Sequence, residues 1–331
     1  MSPDKEAVGT MHPQFGPQSM VALLLSCVLL SGLLFPVSAA ASVPDTTRVP
    51  DGFDLQGHRG ARGLAPENTI PAFERALKIG VTTLEMDVVV AGDGTVVVSH
   101  EPWMAAEKCR TPEGERIPEG EEQSHNLHQM AYGEIEAYDC GSLRLDDFPE
   151  QTPTTTSKPR LHDVLRTAEA YVAEHDRPPA FYNIELKSRK KWEGAFQPGP
   201  APFAERVLAV IEAAGVAPRT TLQSFDPRVL EAVHERRPPV RTAMLVWAEA
   251  PLDEHLNVLS FRPDVYSPPA QLVDAERVAD AHDRGLSLVP WTVNDPMAMK
   301  SLVGLGVDGL ITDYPDRGRR ALRALDVPVG D

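Results

Sequence analysis

The run Thr83-Leu84-Glu85-Met86-Asp87-Val88-Val89-Val90 places two carboxylates inside an otherwise apolar strand pattern. Strand side chains alternate, so Glu85 and Asp87 share one face while Leu84, Met86 and Val88 share the other. Asn183-Ile184-Glu185-Leu186-Lys187 repeats the device, with Asn183, Glu185 and Lys187 on a common face. Turned into a protein interior, carboxylates this close must be protonated, paired with cations or gathered around a metal ion. Glu85, Asp87 and Glu185 make a hard oxygen site suited to Mg²⁺, Ca²⁺ or Mn²⁺ rather than zinc. Lys187 adds a cation beside it, as an anionic substrate requires. The plainer alternatives are an exposed edge strand for the first run and a buried Glu–Lys pair for the second.

Two histidines stand at the ends of apolar runs: His58 after 53–57 and His100 after 96–99. Histidine suits proton transfer near neutral pH, and strand ends are where parallel barrels place their chemistry. Arg59 follows His58 inside Gly57-x-x-Gly60-x-x-Gly63 and offers a bidentate contact to phosphate. His125, His128, His234, His255 and His282 lack such surroundings and read as structural or solvated. Two histidines, a divalent cation and two fixed cations fit phosphodiester cleavage: one imidazole takes a proton from the attacking hydroxyl, the other protonates the leaving oxygen. The positive charges stabilise the phosphorus centre.

These residues need a scaffold that brings strand ends together. Apolar runs at 53–57, 83–90, 96–99, 180–187, 220–224, 242–247, 265–267, 286–292 and 309–312 read as strands. Amphipathic patterns at 69–79, 161–175, 202–214, 227–236, 274–284, 296–302 and 317–325 read as helices, the first entered from Pro66-Glu67-Asn68 as a cap. About eight strand–helix units predict a (β/α)₈ TIM barrel over 53–331. A doubly wound open sheet is the alternative, but no Gly-x-Gly-x-x-Gly turn supports it. The stretch 101–160, rich in Glu, Pro and Thr, is too long for an ordinary loop and reads as an insertion after the second strand unit, with a helical piece at 132–138.

The chain has 331 residues and a net charge of −16, which argues against a nucleic-acid partner and against docking on anionic lipid. Residues 1–41 read as a signal peptide: the apolar run 21–36 is short for a membrane span and small residues follow it. Residues 42–52 form a linker. The expected protein is secreted, with no stable membrane insertion after cleavage; an uncleaved anchor is the alternative. Cys27 does not end the apolar run, as a lipid-attachment cysteine should. Signal removal leaves Cys109 and Cys140, both in the insertion and in an oxidising compartment, where they either form a disulfide or remain two buried thiols.

The ordered set His58-Arg59-Gly60, Pro66-Glu67-Asn68-Thr69, Glu85-x-Asp87, Asp93-Gly94-Thr95, His100, Asn183-Ile184-Glu185-Leu186-Lys187, Gln223-Ser224-Phe225, Pro290-Trp291-Thr292-Val293-Asn294 and Asp308-Gly309-Leu310-Ile311-Thr312-Asp313-x-Pro315 resembles the glycerophosphodiester phosphodiesterase family. The likeness runs over roughly 53–325. It implies a barrel that hydrolyses small-molecule glycerophosphodiesters to an alcohol and glycerol 3-phosphate. By the family pattern His58 and His100 are the acid–base pair, and Glu85, Asp87 and Glu185 hold one Ca²⁺ or Mg²⁺. Arg59 and Lys187 meet the phosphate, Glu67 lies near the site, and Trp291 forms an apolar wall. Pro159-Arg160-Leu161-His162-Asp163 departs from the family's Pro-Thr-Leu-Glu-Glu, which puts substrate contacts at that loop in doubt. The competing readings are a lysophospholipase D-type activity on lipid head groups and a non-catalytic secreted barrel that binds a surface.

Overall fold

A computed structural model describes residues 52–329. The signal segment and all of the linker except Gly52 lie outside the described residues. The elements are β1 (Asp54–Gly57), α1 (Ile70–Ile79), β2 (Thr83–Val90), β3 (Val96–Val98), α2 (Tyr132–Ile135), α3 (Leu161–Glu174), β4 (Phe181–Leu186), α4 (Pro200–Ala213), β5 (Thr220–Ser224), α5 (Pro227–Glu235), β6 (Arg241–Leu245), α6 (Leu252–Leu256), β7 (Val265–Ser267), α7 (Ala275–Asp283), β8 (Ser287–Leu288), α8 (Pro296–Leu305), β9 (Gly309–Thr312) and α9 (Pro315–Arg323). No helix among the described residues is long and apolar enough to cross a membrane.

Eight parallel strands run in the order β8-β7-β6-β5-β4-β2-β1-β9. The ring is nearly closed by backbone hydrogen bonds from Asp308 N–H to the Leu288 carbonyl and from Ile311 N–H to the Pro290 carbonyl, each 3.0 Å. This is the (β/α)₈ barrel. Leu84, Met86, Val88, Ile184 and Leu186 turn outward and pack in one core with helix residues such as Phe73, Leu165 and Phe203. The interior is divided. Gln56, Glu85, Asp87, Asn183, Glu185 and Gln223 are buried on the β1–β5 side. Ala243, Val265, Val289 and Ile311 form an apolar cluster on the other side, with Trp291 against it.

The inserted segment has its own small core. Met104, Cys109, Ile117, Leu127, Ile135 and Cys140 pack on Val89 and Val97 of the β2–β3 hairpin. A disulfide joins Cys109 to Cys140 across 31 residues. The helical piece at 132–138 shortens to α2.

Three local readings change. Thr69, not the Pro66–Asn68 stretch, caps α1: its hydroxyl accepts the Ala72 N–H, and Gly80 at φ +92° ends the helix. The strand expected at 286–292 keeps only Ser287 and Leu288, although Val289 and Trp291 still donate to the Tyr266 and Pro268 carbonyls, each at 3.1 Å. β3 is not a barrel strand: it pairs antiparallel with the end of β2, Val88 opposite Val98 and Val90 opposite Val96.

Candidate active site

The β2–β3 hairpin explains how His100 reaches the chemistry. β2 carries Glu85 and Asp87 up through the barrel and on to Val90; the tight turn at Gly94 then sends β3 back. Ser99 N–H donates to the Asp87 carbonyl at 2.9 Å, which sets His100 at the mouth. His100 therefore does not stand at the C-terminal end of a barrel strand, as the sequence pattern suggested. It arrives at the same rim from the opposite direction.

His58 follows β1 directly. Its Nδ1 lies 2.6 Å from Asp313 Oδ1, just beyond β9, and its Nε2 lies 3.9 Å from Glu85 Oε2. His100 Nδ1 lies 2.6 Å from Glu101 Oε1. A carboxylate at Nδ1 favours the proton there and leaves Nε2 as the acceptor nitrogen of each ring. Burial, then the charge of Arg59, lowers the pKa of His100 below its ordinary value. For Asp313, burial opposes ionisation, but His58 and then Arg62 hold its pKa below the usual range.

Arg59 has φ +50° and Gly60 φ +85°. Gly60 is required here, since a Cβ would lie 2.6 Å from the Ala72 backbone. This tight turn sends the Arg59 N–H to Glu85 Oε2 at 2.8 Å and brings its guanidinium to 3.0 Å from Asp87 and from both oxygens of Glu67. Glu67 stands behind Arg59, between Arg59, Arg62 and Lys108, and is not on the wall of the main cavity. Burial works against its charge, yet Arg59 and Lys108 hold its pKa well below the ordinary range.

Glu85, Asp87 and Glu185 are all buried and present ligand oxygens within 4.8 Å of one another. Oxygens sharing one Mg²⁺ or Ca²⁺ at about 2.0–2.6 Å lie no more than about 5 Å apart, so the donor set fits such an ion. Lys187 Nζ is 2.8 Å from Glu185 and 3.5 Å from Asp87. Gln223 donates to Glu85 and Asn68 to Asp87, each at 2.8 Å. Burial and the Asp87 charge push Glu85 well above the usual carboxylate range. Burial also pushes Glu185 up to about 7, against the pull of Lys187. Asp87 resists the same burial because Arg59 and Lys187 keep it well below its usual value. Burial thus disfavours charge on Glu85 and Glu185, while the neighbouring cations favour it on Asp87.

A cavity of about 220 Å³ opens over this layer, lined by His58, Arg59, His100, Glu185, Lys187 and, opposite them, aromatic rings. Phe225 and Trp247 stack at 4.2 Å, and both meet Trp291 edge-on. Trp291 is fixed by its indole N–H, which donates to the Ser267 carbonyl at 2.9 Å. The Pro159–Asp163 loop does not line this cavity. Cys109 and Cys140 lie in the insertion core, away from its wall.

Sequence reasoning assigned no role in the site to Asp313, Glu101, Gln223 or Lys108, and read Asn68 only as part of a helix cap. Asp313 had a signal, since it follows β9 as His58 follows β1. Glu101 had only its adjacency to His100. Lys108 had none, because Glu67 is 41 residues away and Glu101, seven away, shares no regular element with it.

A barrel that aims two carboxylate-backed imidazoles and two fixed cations into one cavity has the chemistry of a phosphoric diester hydrolase. The model for the glycerophosphoryl diester phosphodiesterase family matches residues 58–317, and the chain belongs to that family. The glycerophosphodiester phosphodiesterase of Bacillus subtilis (strain 168) is 28% identical over 306 residues, covering 90% of this chain and 95% of that protein. A crystal structure from Silicibacter pomeroyi DSS-3 with the same family designation is 32% identical, with a TM-score of 0.74, covering 85% of this chain and 97% of that one. A phosphodiesterase from Oleispira antarctica, solved with the product sn-glycerol-3-phosphate, shares the fold at 20% identity and a TM-score of 0.65, covering 82% and 97%.

Proposed function

We propose that this enzyme hydrolyses glycerophosphodiesters to an alcohol and glycerol 3-phosphate, with a divalent cation, Ca²⁺ or Mg²⁺, on Glu85, Asp87 and Glu185. The observation that carries the reading is the matched pair His58–Asp313 and His100–Glu101, each 2.6 Å, facing one cavity above the three carboxylates. The glycerol hydroxyl beside the ester gives its proton to one Nε2 as its oxygen bonds to phosphorus. The other Nε2 protonates the departing alcohol oxygen as its bond to phosphorus breaks. Water then opens the cyclic phosphate with the proton roles exchanged; direct attack by water needs the same two residues. Arg59 and Lys187 meet the phosphate oxygens. The bound cation supplies further positive charge to the phosphate.

The test is alcohol release from glycerophosphocholine by metal-loaded and EDTA-treated enzyme. Metal-restored hydrolysis is expected; full activity with no bound metal contradicts the reading. A lysophospholipase D-type activity is favoured by one observation, the 60% exposure of Trp247 at the aromatic wall. Faster cleavage of lysophosphatidylcholine than of glycerophosphocholine would select it. Export is proposed from the N-terminal segment and is supported by the Cys109–Cys140 disulfide, which belongs to oxidising compartments. Recovery of processed protein outside the cytoplasm tests it.

A further inference from the structure

Lys108 Nζ lies 2.9 Å from Glu67 Oε1 and 3.0 and 3.1 Å from the two oxygens of Glu101. Glu101 is the partner of His100, and Glu67 is the partner of Arg59. One ammonium therefore ties the carboxylate behind a proton-transfer group to the carboxylate behind a phosphate-binding group. Its donors are used on these two carboxylates, and its side chain is 10% exposed.

The other end of the inserted segment grips the same stretch. Lys158 Nζ donates to Ser99 Oγ at 2.9 Å, and that hydroxyl donates to the Glu101 carbonyl at 2.6 Å. The two lysine-bearing stretches are also joined. Lys108 precedes Cys109, which is bonded to Cys140, and the Cys140 N–H donates to the Thr156 carbonyl at 2.7 Å, two residues before Lys158. Lys108 does not line the substrate cavity. It lines a narrow cavity behind it with Glu67, His100 and Lys158.

From this geometry we infer that Lys108 is a positioning residue, which holds His100 through Glu101 and Arg59 through Glu67. The inserted segment is then part of the catalytic apparatus, although none of residues 101–160 lines the substrate cavity. The inference rests on the roles proposed above for His100 and Arg59. Glu67 keeps Arg59 and Arg62 when Lys108 is removed, whereas the Glu101 carboxylate keeps only His100 among its direct ion-pair partners here. The loss therefore falls on proton transfer, in kcat, more than on substrate binding.

Metal-loaded full-length enzyme acting on glycerophosphocholine provides the test. Lys108→Met should lower kcat about 10–100-fold with a smaller change in KM, and Lys108→Arg should recover most of it. In a Glu101→Gln background the same Lys108→Met change should cost less than about threefold, because the two act through one path. A folded Lys108→Met enzyme within about twofold of the parent, alongside an impaired His100→Ala, overturns this inference alone. An unimpaired His100→Ala overturns the reading beneath it. If Lys108→Met does not fold, the double variant Lys108→Met/Glu101→Gln is compared with Glu101→Gln; a further loss of about tenfold contradicts the shared path.

Discussion

Asp313 Oδ1 takes the Nδ1 of His58 at 2.6 Å, while its other oxygen accepts the Asn294 amide at the same distance. The carboxylate is therefore held at both ends, and the imidazole with it. Asp313→Asn presents an amide that does not reproduce the anion at Nδ1 and removes the charge that stabilises an imidazolium. We expect kcat to fall by about 10²-fold or more with the fold intact. Steady-state kinetics on glycerophosphocholine decide; a loss under about threefold would remove Asp313 from the mechanism.

In the proposed mechanism the two histidines work as a pair. His58→Ala and His100→Ala should each cost about 10²–10⁴-fold in kcat. The double variant should lose far less than the product of the two, because removing one already disables the cycle. Strict multiplication of the losses, in proteins of unchanged circular dichroism, would show independent roles.

Metal binding should stabilise the protein more as the pH rises. Without a cation Glu185 titrates at about 7 in the folded chain against 4.5 as its ordinary value. A raised folded pKa gives stability that is complete below about 4.5 and is lost as the pH climbs through about 7, with a slope of about 1.4 kcal/mol per pH unit for each such carboxyl. Glu85 carries the same sign. Asp87 and Glu67 carry the opposite sign, but their stability is lost only on acidification through the depressed range, outside this window. The melting-temperature gap between Mg²⁺- or Ca²⁺-loaded and EDTA-treated protein should widen from about pH 5 to about pH 8. A gap that is constant across that range contradicts the assignment.

Reduction of the disulfide should unfold the insertion before the barrel. A closed loop of this length, with the cysteines 31 positions apart, is worth about 3–4 kcal/mol in the chain-entropy model. Cys109→Ser/Cys140→Ser should lower the melting temperature. It should also lose activity at temperatures where far-ultraviolet circular dichroism still reports the helices. Equal stability with and without dithiothreitol would show that the bridge contributes little.

The barrel was legible because alternation in β2 and β4 leaves one face apolar and the other acidic, a pattern that an exposed loop does not need. The three carboxylates share a cluster for the same reason: Asp87 pairs with Glu185 in register, and Glu85 with Asn183. What escaped was tertiary. The antiparallel course of β3 depends on the turn at 91–95, and its Val-Val-Val pattern is equally that of a barrel strand. Glu101 and Lys108 look like ordinary surface charges in sequence, and only folding the insertion back buries them against His100 and Glu67. α6, five residues long, is too short for a helical period to show.

The β2–β3 hairpin hands the chain from the strand of Glu85 and Asp87 to His100 and straight into the insertion. The carboxylate that holds His100 thus sits on the insertion, while His100 itself stays on the hairpin. Exchange of 101–160 between relatives would carry Glu101, Lys108 and Lys158 along with any change at the mouth. On the proposed roles, a crossover in this region must bring a carboxylate for His100 Nδ1 and a cation to hold it. On that reading, diversification of the insertion is constrained from inside, by the charges it lends to the barrel.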